Sequence, residues 1–153
     1  MKESNLKEEL FKEIQKRGLL EQDEPEKDEE SNGGDFCDLV CKVLHSRNQS
    51  HIFHLQTKSY AEHKALNDYY DGIVGLYDGL VESYQGKYGI LTDVKTFENE
   101  DYQSSEQVIE FFKDLSDDIE KNRDSVKDSY LQNQIDTILE LIYSTLYKLK
   151  FLK

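Results

Sequence analysis

His51, His54 and His63, followed by Asn67, Asp71, Asp78 and Glu82, are the side chains of this sequence whose types and spacing suit metal chemistry. Imidazole combined with carboxylate suits Fe(II), and carboxylates on facing helices are how bundle proteins hold iron pairs. At a helical step of about 100° per residue, His63, Asn67, Asp71 and Glu82 all fall within about 60° of Asp78, while the apolar residues of the same stretch centre near the opposite side. A solvated outer face produces the same stripe, because charged residues there need no purpose. Gly72, Gly75 and Gly79 lie beside it, and each costs a helix about 1 kcal/mol relative to Ala. Such a row of small residues is repaid where a helix approaches another backbone closely, as in a symmetric dimer. His51 and His54 sit one turn apart on the face that also carries Phe36, Val40 and Leu44. They are expected to point inward.

Helices must position these residues. From Asp35 to Thr57, Phe36, Leu39, Val40, Val43, Leu44 and Leu55 recur at intervals of three and four, which predicts a first long helix. Ser59 is a candidate N-cap for a second, from about Tyr60 to Gln85, with Leu66, Tyr69, Tyr70, Ile73, Tyr77, Leu80, Val81 and Tyr84 on one side. Gly86, Gly89 and Asn99 surround a loop reaching to about Gln103. Ser104 or Ser105 then opens a third helix with Val108, Ile109, Phe111, Phe112, Leu115 and Ile119. Asp128 or Ser129 opens a fourth, with Leu131, Ile135, Ile138, Leu139, Ile142, Leu146 and Leu149. The expected fold is all-α, a ferritin-like four-helix bundle over residues 35–153 with one longer central connection. Residues 1–34 form the expected N-terminal extension. Leu6, Leu10, Phe11 and Ile14 predict a short amphipathic helix over 5–17, and the acidic stretch 21–34, with Pro25 and Gly33-Gly34, predicts a flexible linker.

Composition agrees with helices joined by short polar links: 153 residues contain one Pro, no Trp and eight Gly. A net charge of -13 excludes a chain built to neutralise phosphates, so no nucleic-acid binding is expected. No apolar run approaches the roughly 20 residues that span a bilayer, and the N-terminus opens with Lys2 and Glu3 rather than a signal sequence. A cytoplasmic protein without membrane contact is expected. Cys37 and Cys41 stand one turn apart with no second pair, which favours reduced, partly buried thiols over a disulfide framework. Tyr60, Tyr69, Tyr70, Tyr77 and Tyr84 are expected as core residues whose hydroxyls reach the surface or a buried partner, ahead of a role in quenching oxidising equivalents.

The order His51-Ile52-Phe53-His54, Lys58, His63 and Asp78-Gly79-Leu80-Val81-Glu82 resembles the Dps family, the starvation-inducible branch of the ferritin superfamily. The resemblance implies a ferroxidase centre shared between two subunits, with His54 and His63 from one chain and Asp78 and Glu82 from its partner. His51, Asn67 and Asp71 would stand just outside the ligands. It further implies a homo-oligomer, a dimer at least and a hollow dodecamer at most, that oxidises Fe(II) with peroxide or dioxygen and stores the ferric product against oxidative stress. Three differences from the family pattern stand out. The stretch between His54 and His63 is a few residues shorter, Leu55 replaces a customary Trp, and Asn67 stands where a further carboxylate is common.

Two functions follow as expectations. The first is an iron-binding ferroxidase and iron store using His54, His63, Asp78 and Glu82, without strong DNA binding. The alternative is a non-enzymatic interaction protein, a degenerate ferritin relative tethered to an unknown partner by the helix at 5–17 through Leu6, Leu10, Phe11 and Ile14.

Overall fold

A computed structural model describes residues 30–152, with side chains from Asp35 onward. Four helices follow in chain order, α1 (Glu30–Gln56), α2 (Tyr60–Tyr88), α3 (Ser105–Arg123) and α4 (Ser129–Phe151), and the described residues contain no strand. The expected helix at 5–17 and the linker as far as residue 29 lie outside the described residues.

Local chemistry sets most of the boundaries. Ser59 is extended and its hydroxyl accepts the Glu62 N–H at 3.3 Å, while Ser104 does the same for Gln107 at 3.3 Å. Each satisfies one of the main-chain donors that a helix start leaves open. α2 ends at Gly89, whose φ of 94° carries its N–H back to the Gln85 carbonyl, a turn that glycine makes without strain. α2 thus runs to Tyr88 rather than Gln85, and Gly86 lies inside it.

α1 begins at Glu30, ahead of the expected Asp35. Once Phe36 and Leu39 fix the helix in the core, each residue upstream adds a hydrogen bond without a new nucleation cost.

The connection over residues 89–104 decides the topology. Thr92 and Lys95 lie over Cys37 and Cys41 near the start of α1. Further on, the buried Gln49 amide both donates to the Glu100 carbonyl and accepts the Glu100 N–H, each at 2.7 Å. Gln56, at the end of α1, accepts the Tyr102 N–H at 2.6 Å. The connection is therefore a strap along the length of α1, and α3 starts where α1 ends and α2 begins. α2 and α3 run parallel, with α4 antiparallel to both. Ion pairs mark the same directions: Lys87 with Asp128 and Lys148 with Asp68 join α2 to α4 at their opposite ends, and Lys42 with Asp118 joins the middle of α1 to the second half of α3. Up, down, down, up with one long crossover is the connectivity of ferritin-like bundles.

The core is continuous across all four helices, from Phe36, Leu39 and Val43 through Leu66, Tyr69 and Ile73 to Phe112, Ile135 and Ile142, all essentially inaccessible to solvent. Tyr69 is fully buried, and its hydroxyl lies 2.7 Å from Ser46 Oγ. Burial pushes the Tyr69 phenol far up, so it stays neutral. Tyr60 departs from the expected core set: it opens α2 at the bundle end and is 79% exposed. No described helix is long and apolar enough to cross a membrane.

Candidate metal centre

Three residues, Thr57, Lys58 and Ser59, link α1 to α2. So short a link forms a tight helical hairpin and sets the last turn of α1 against the first turns of α2. His54 and His63 meet there. His54 Nδ1 lies 2.9 Å from the His63 carbonyl oxygen, and His63 Nδ1 lies 2.9 Å from the His54 carbonyl oxygen. A carbonyl only accepts, so both Nδ1 atoms carry a proton and donate it. The two rings stack with centroids 3.7 Å apart and planes 22° from parallel. His54 is buried and His63 half-buried. Holding Nδ1–H on a main-chain carbonyl is how proteins orient metal-binding histidines, because in the neutral ring it leaves the lone pair on Nε2.

Tyr70 gathers the outer residues around this pair. His51 stacks on its ring at 4.3 Å, and its edge meets His54 at 5.1 Å. The Tyr70 hydroxyl donates to Asn67 Oδ1 at 3.0 Å, and Asn67 Nδ2 donates to Asp71 Oδ2 at 2.8 Å. The Arg47 guanidinium lies over the Tyr70 ring, 5.9 Å from its centroid. His51, Asn67 and Asp71 are therefore joined to the histidine pair through a tyrosine that the sequence pattern had grouped with the core.

Asp78 and Glu82 are exposed on α2, as the helical stripe predicts. They do not join the histidines of their own chain. On a straight helix they stand about 22 and 28 Å beyond His63, far outside ligand distance. Among the described residues, no three His, Cys, Asp or Glu side chains gather in a group that could hold a metal ion. The glycines beside the stripe face outward too. A methyl added at Gly75 or Gly79 meets nothing within 4 Å, and at Gly72 only the Leu141 side chain at 3.4 Å. Among the described residues no close approach repays Gly75 or Gly79. Asp78 also borders a groove of about 350 Å³ between α1 and α2, floored by Val43, Ile73 and Val74.

Glu62 is the functional-looking residue that sequence reasoning missed. It is 5% exposed, and its Oε2 accepts from Ser105 at 2.8 Å, Thr57 at 3.1 Å and Tyr102 at 3.3 Å, while Oε1 is buried with no partner among the described residues. Ser59 and Glu62 have the spacing of a capping box, in which the glutamate reaches back to the Ser59 N–H. Here Thr57 Oγ1 accepts that N–H instead, which frees the Glu62 carboxylate to tie the strap and the start of α3 to the hairpin. The S-x-x-E spacing was the available signal, though it points to the cap rather than to the strap.

No curated protein and no solved structure matches this chain. Residues 54–149, a stretch that runs from His54 and takes in His63, Asp78 and Glu82, match the model of a family described as a family of unknown function, DUF5856, and since that is more than half of its length the chain belongs to this family.

Proposed function

We propose that the protein is a Dps-like ferroxidase and iron store that binds Fe(II) as substrate between two copies of the chain. The observation carrying this is the reciprocal His54 and His63 pair, whose Nδ1 protons are both committed to main-chain carbonyls. Two imidazoles so held offer Nε2 to a divalent ion. Asp78 and Glu82 supply the carboxylates from a second copy, which accounts for their outward placement and for the open glycine face beside them. The crossover connectivity supports the same reading. Two Fe(II) ions each give up one electron, and one hydrogen peroxide takes both together with two protons to leave two waters and two Fe(III). The protein's part is positioning and charge compensation. Because bound imidazoles must be neutral and carboxylates ionised, protons compete with the metal and uptake falls as the solution is acidified.

The test is the rate of Fe(II) oxidation by purified protein, with peroxide and with dioxygen, alongside its mass by light scattering. Oxidation by an oligomer, abolished in His54→Ala, Asp78→Ala and Glu82→Ala, supports the proposal. No oxidation from a monomer overturns it.

A second reading rests on the same pair. Its reciprocal bonds also serve as a clasp closing the α1–α2 hairpin, which suffices for a non-enzymatic bundle tethered to a partner through residues 5–17. That version predicts no iron uptake, and partner binding lost when Leu10 and Phe11 become polar.

A further inference from the structure

Away from the histidines, Cys37 and Cys41 stand one turn apart on α1 beneath the strap, beside a cleft of about 920 Å³ that Tyr84, Tyr88 and Lys95 also line. The strap is shaped to them. Asp93 takes a left-handed φ of 63°, turning the chain so that the Thr92 carbonyl faces Cys37 Sγ at 3.6 Å and the Lys95 N–H donates to Cys41 Sγ at 3.1 Å. Cys41 is buried and Cys37 half-buried, and both are free thiols.

Distance decides what such a pair can do. Residues four apart on a helix hold their Cβ atoms about 5–6 Å apart, whereas a disulfide needs roughly 3.5–4.5 Å. A direct S–S bond would unwind α1 at Leu39 and Val40, which are fully buried. An ion between the sulfurs removes the mismatch, since two thiolate bonds of about 2.3 Å span up to about 4.6 Å. Zn(II) would want four ligands, and among the described residues no third His, Cys, Asp or Glu completes a group with these two. A soft ion content with two thiolates remains, which is the preference of Cu(I).

We propose that Cys37 and Cys41 form a two-coordinate thiolate site for Cu(I), closed by the strap residues Thr92–Lys95. Two thiolates side by side repel each other, and a cation between them relieves that repulsion. The single negative charge that remains lies in a cleft lined by Lys95 and also by Asp38 and Asp93. Binding displaces both thiol protons and changes no oxidation state.

The experiment is anaerobic titration of the reduced full-length chain with Cu(I) in competition with bicinchoninate. The site withdraws a single equivalent of Cu(I), releases protons, and ignores Zn(II) at matched concentration. Cys37→Ser, a half-exposed position that keeps the fold, lowers the affinity by at least the ~100-fold that loss of a supporting partner alone can cost. Cys41→Ser, checked for helicity, does the same, whereas His54→Gln leaves the titration unchanged. Uptake that survives Cys37→Ser, depends on His54, or proceeds equally with Zn(II) overturns the proposal. So does rapid closure of the pair to a disulfide under mild oxidant, seen as loss of two hydrogen masses.

Discussion

His54 and His63 each donate an Nδ1 proton to the other's carbonyl oxygen at 2.9 Å, so the two rings that stack across the hairpin also fasten its two backbones. Position and protonation are fixed together. In the neutral rings, imidazole nitrogen shifts should show the proton on Nδ1 of both. Replacing His63 by Ala removes its own Nδ1 bond and the stacking, while His54 can still donate to the main-chain carbonyl of residue 63, at a cost of about 1–3 kcal/mol in urea unfolding. A cost near zero would show the pair to be incidental.

Glu62 predicts a different pattern. Glu62→Ala leaves the hydroxyls of Thr57, Tyr102 and Ser105 without their common acceptor and opens a buried gap. The expected loss is about 2–4 kcal/mol, with proteolytic nicking appearing in residues 89–104. Glu62→Gln retains one accepting oxygen and should fall between the two. Equal loss in both variants would mean that charge, not the acceptor geometry, holds the strap.

The open glycines separate an isolated bundle from one that packs on a second copy. A Cβ at Gly75 or Gly79 meets nothing within 4 Å among the described residues, so in a monomer Gly75→Ala and Gly79→Ala each add up to ~1 kcal/mol through helix propensity. Across a dimer contact the same methyls collide with the partner. The expected outcome is a lower mass at fixed concentration with each chain still fully helical. Higher stability at unchanged mass would remove this face from any interface.

Acid stability has two sources with the same sign. The Lys87 ammonium and then the Tyr88 hydroxyl hold Asp128 below its ordinary 3.8, and Arg123 does so for Asp136. Their folded values lie under the unfolded ones, so their contribution is present above 3.8 and is lost as pH falls through the folded values. His45, packed against Phe97 and Phe111, is lowered by burial, only partly offset by Glu100. Its unfolded form takes up a proton first, and stability therefore falls as pH drops below 6.5. In chemical unfolding across this range, Asp128→Asn and Asp136→Asn should flatten the lower slope and His45→Gln the upper one. Parallel curves would contradict the assignment.

Most of the bundle was legible because periodicity and caps are local. Leu131 to Leu146 at helical spacing could face only a core, and Ser59 and Ser104 carry their capping chemistry with them. Asp128 shows the boundary of such inference. It occupies the N-cap of α4 as expected, yet its carboxylate makes no cap bond and turns to Lys87 and Tyr88 across the bundle. The candidate site divides in the same way. Helical phase places Asp71, Asp78 and Glu82 outside and His54 inside, but the mutual bonds of His54 and His63 depend on a three-residue link whose path no periodicity encodes. The stacking of His51 on Tyr70, and Glu62 as the clasp for the strap, arise from contacts between different elements, which local periodicity does not encode.

Sharing of one site between two chains is tested most directly by complementation. His54→Ala protein retains its carboxylates and Asp78→Ala protein retains its histidines, so each alone should be inactive in Fe(II) oxidation. Co-refolded in equal amounts, half of the dimers pair unlike chains and half of the sites in those are intact, which restores about a quarter of wild-type activity for an isologous pair. Recovery near that level would establish that the centre lies between subunits. A wild-type chain that oxidises iron while the mixture stays inactive would contradict it.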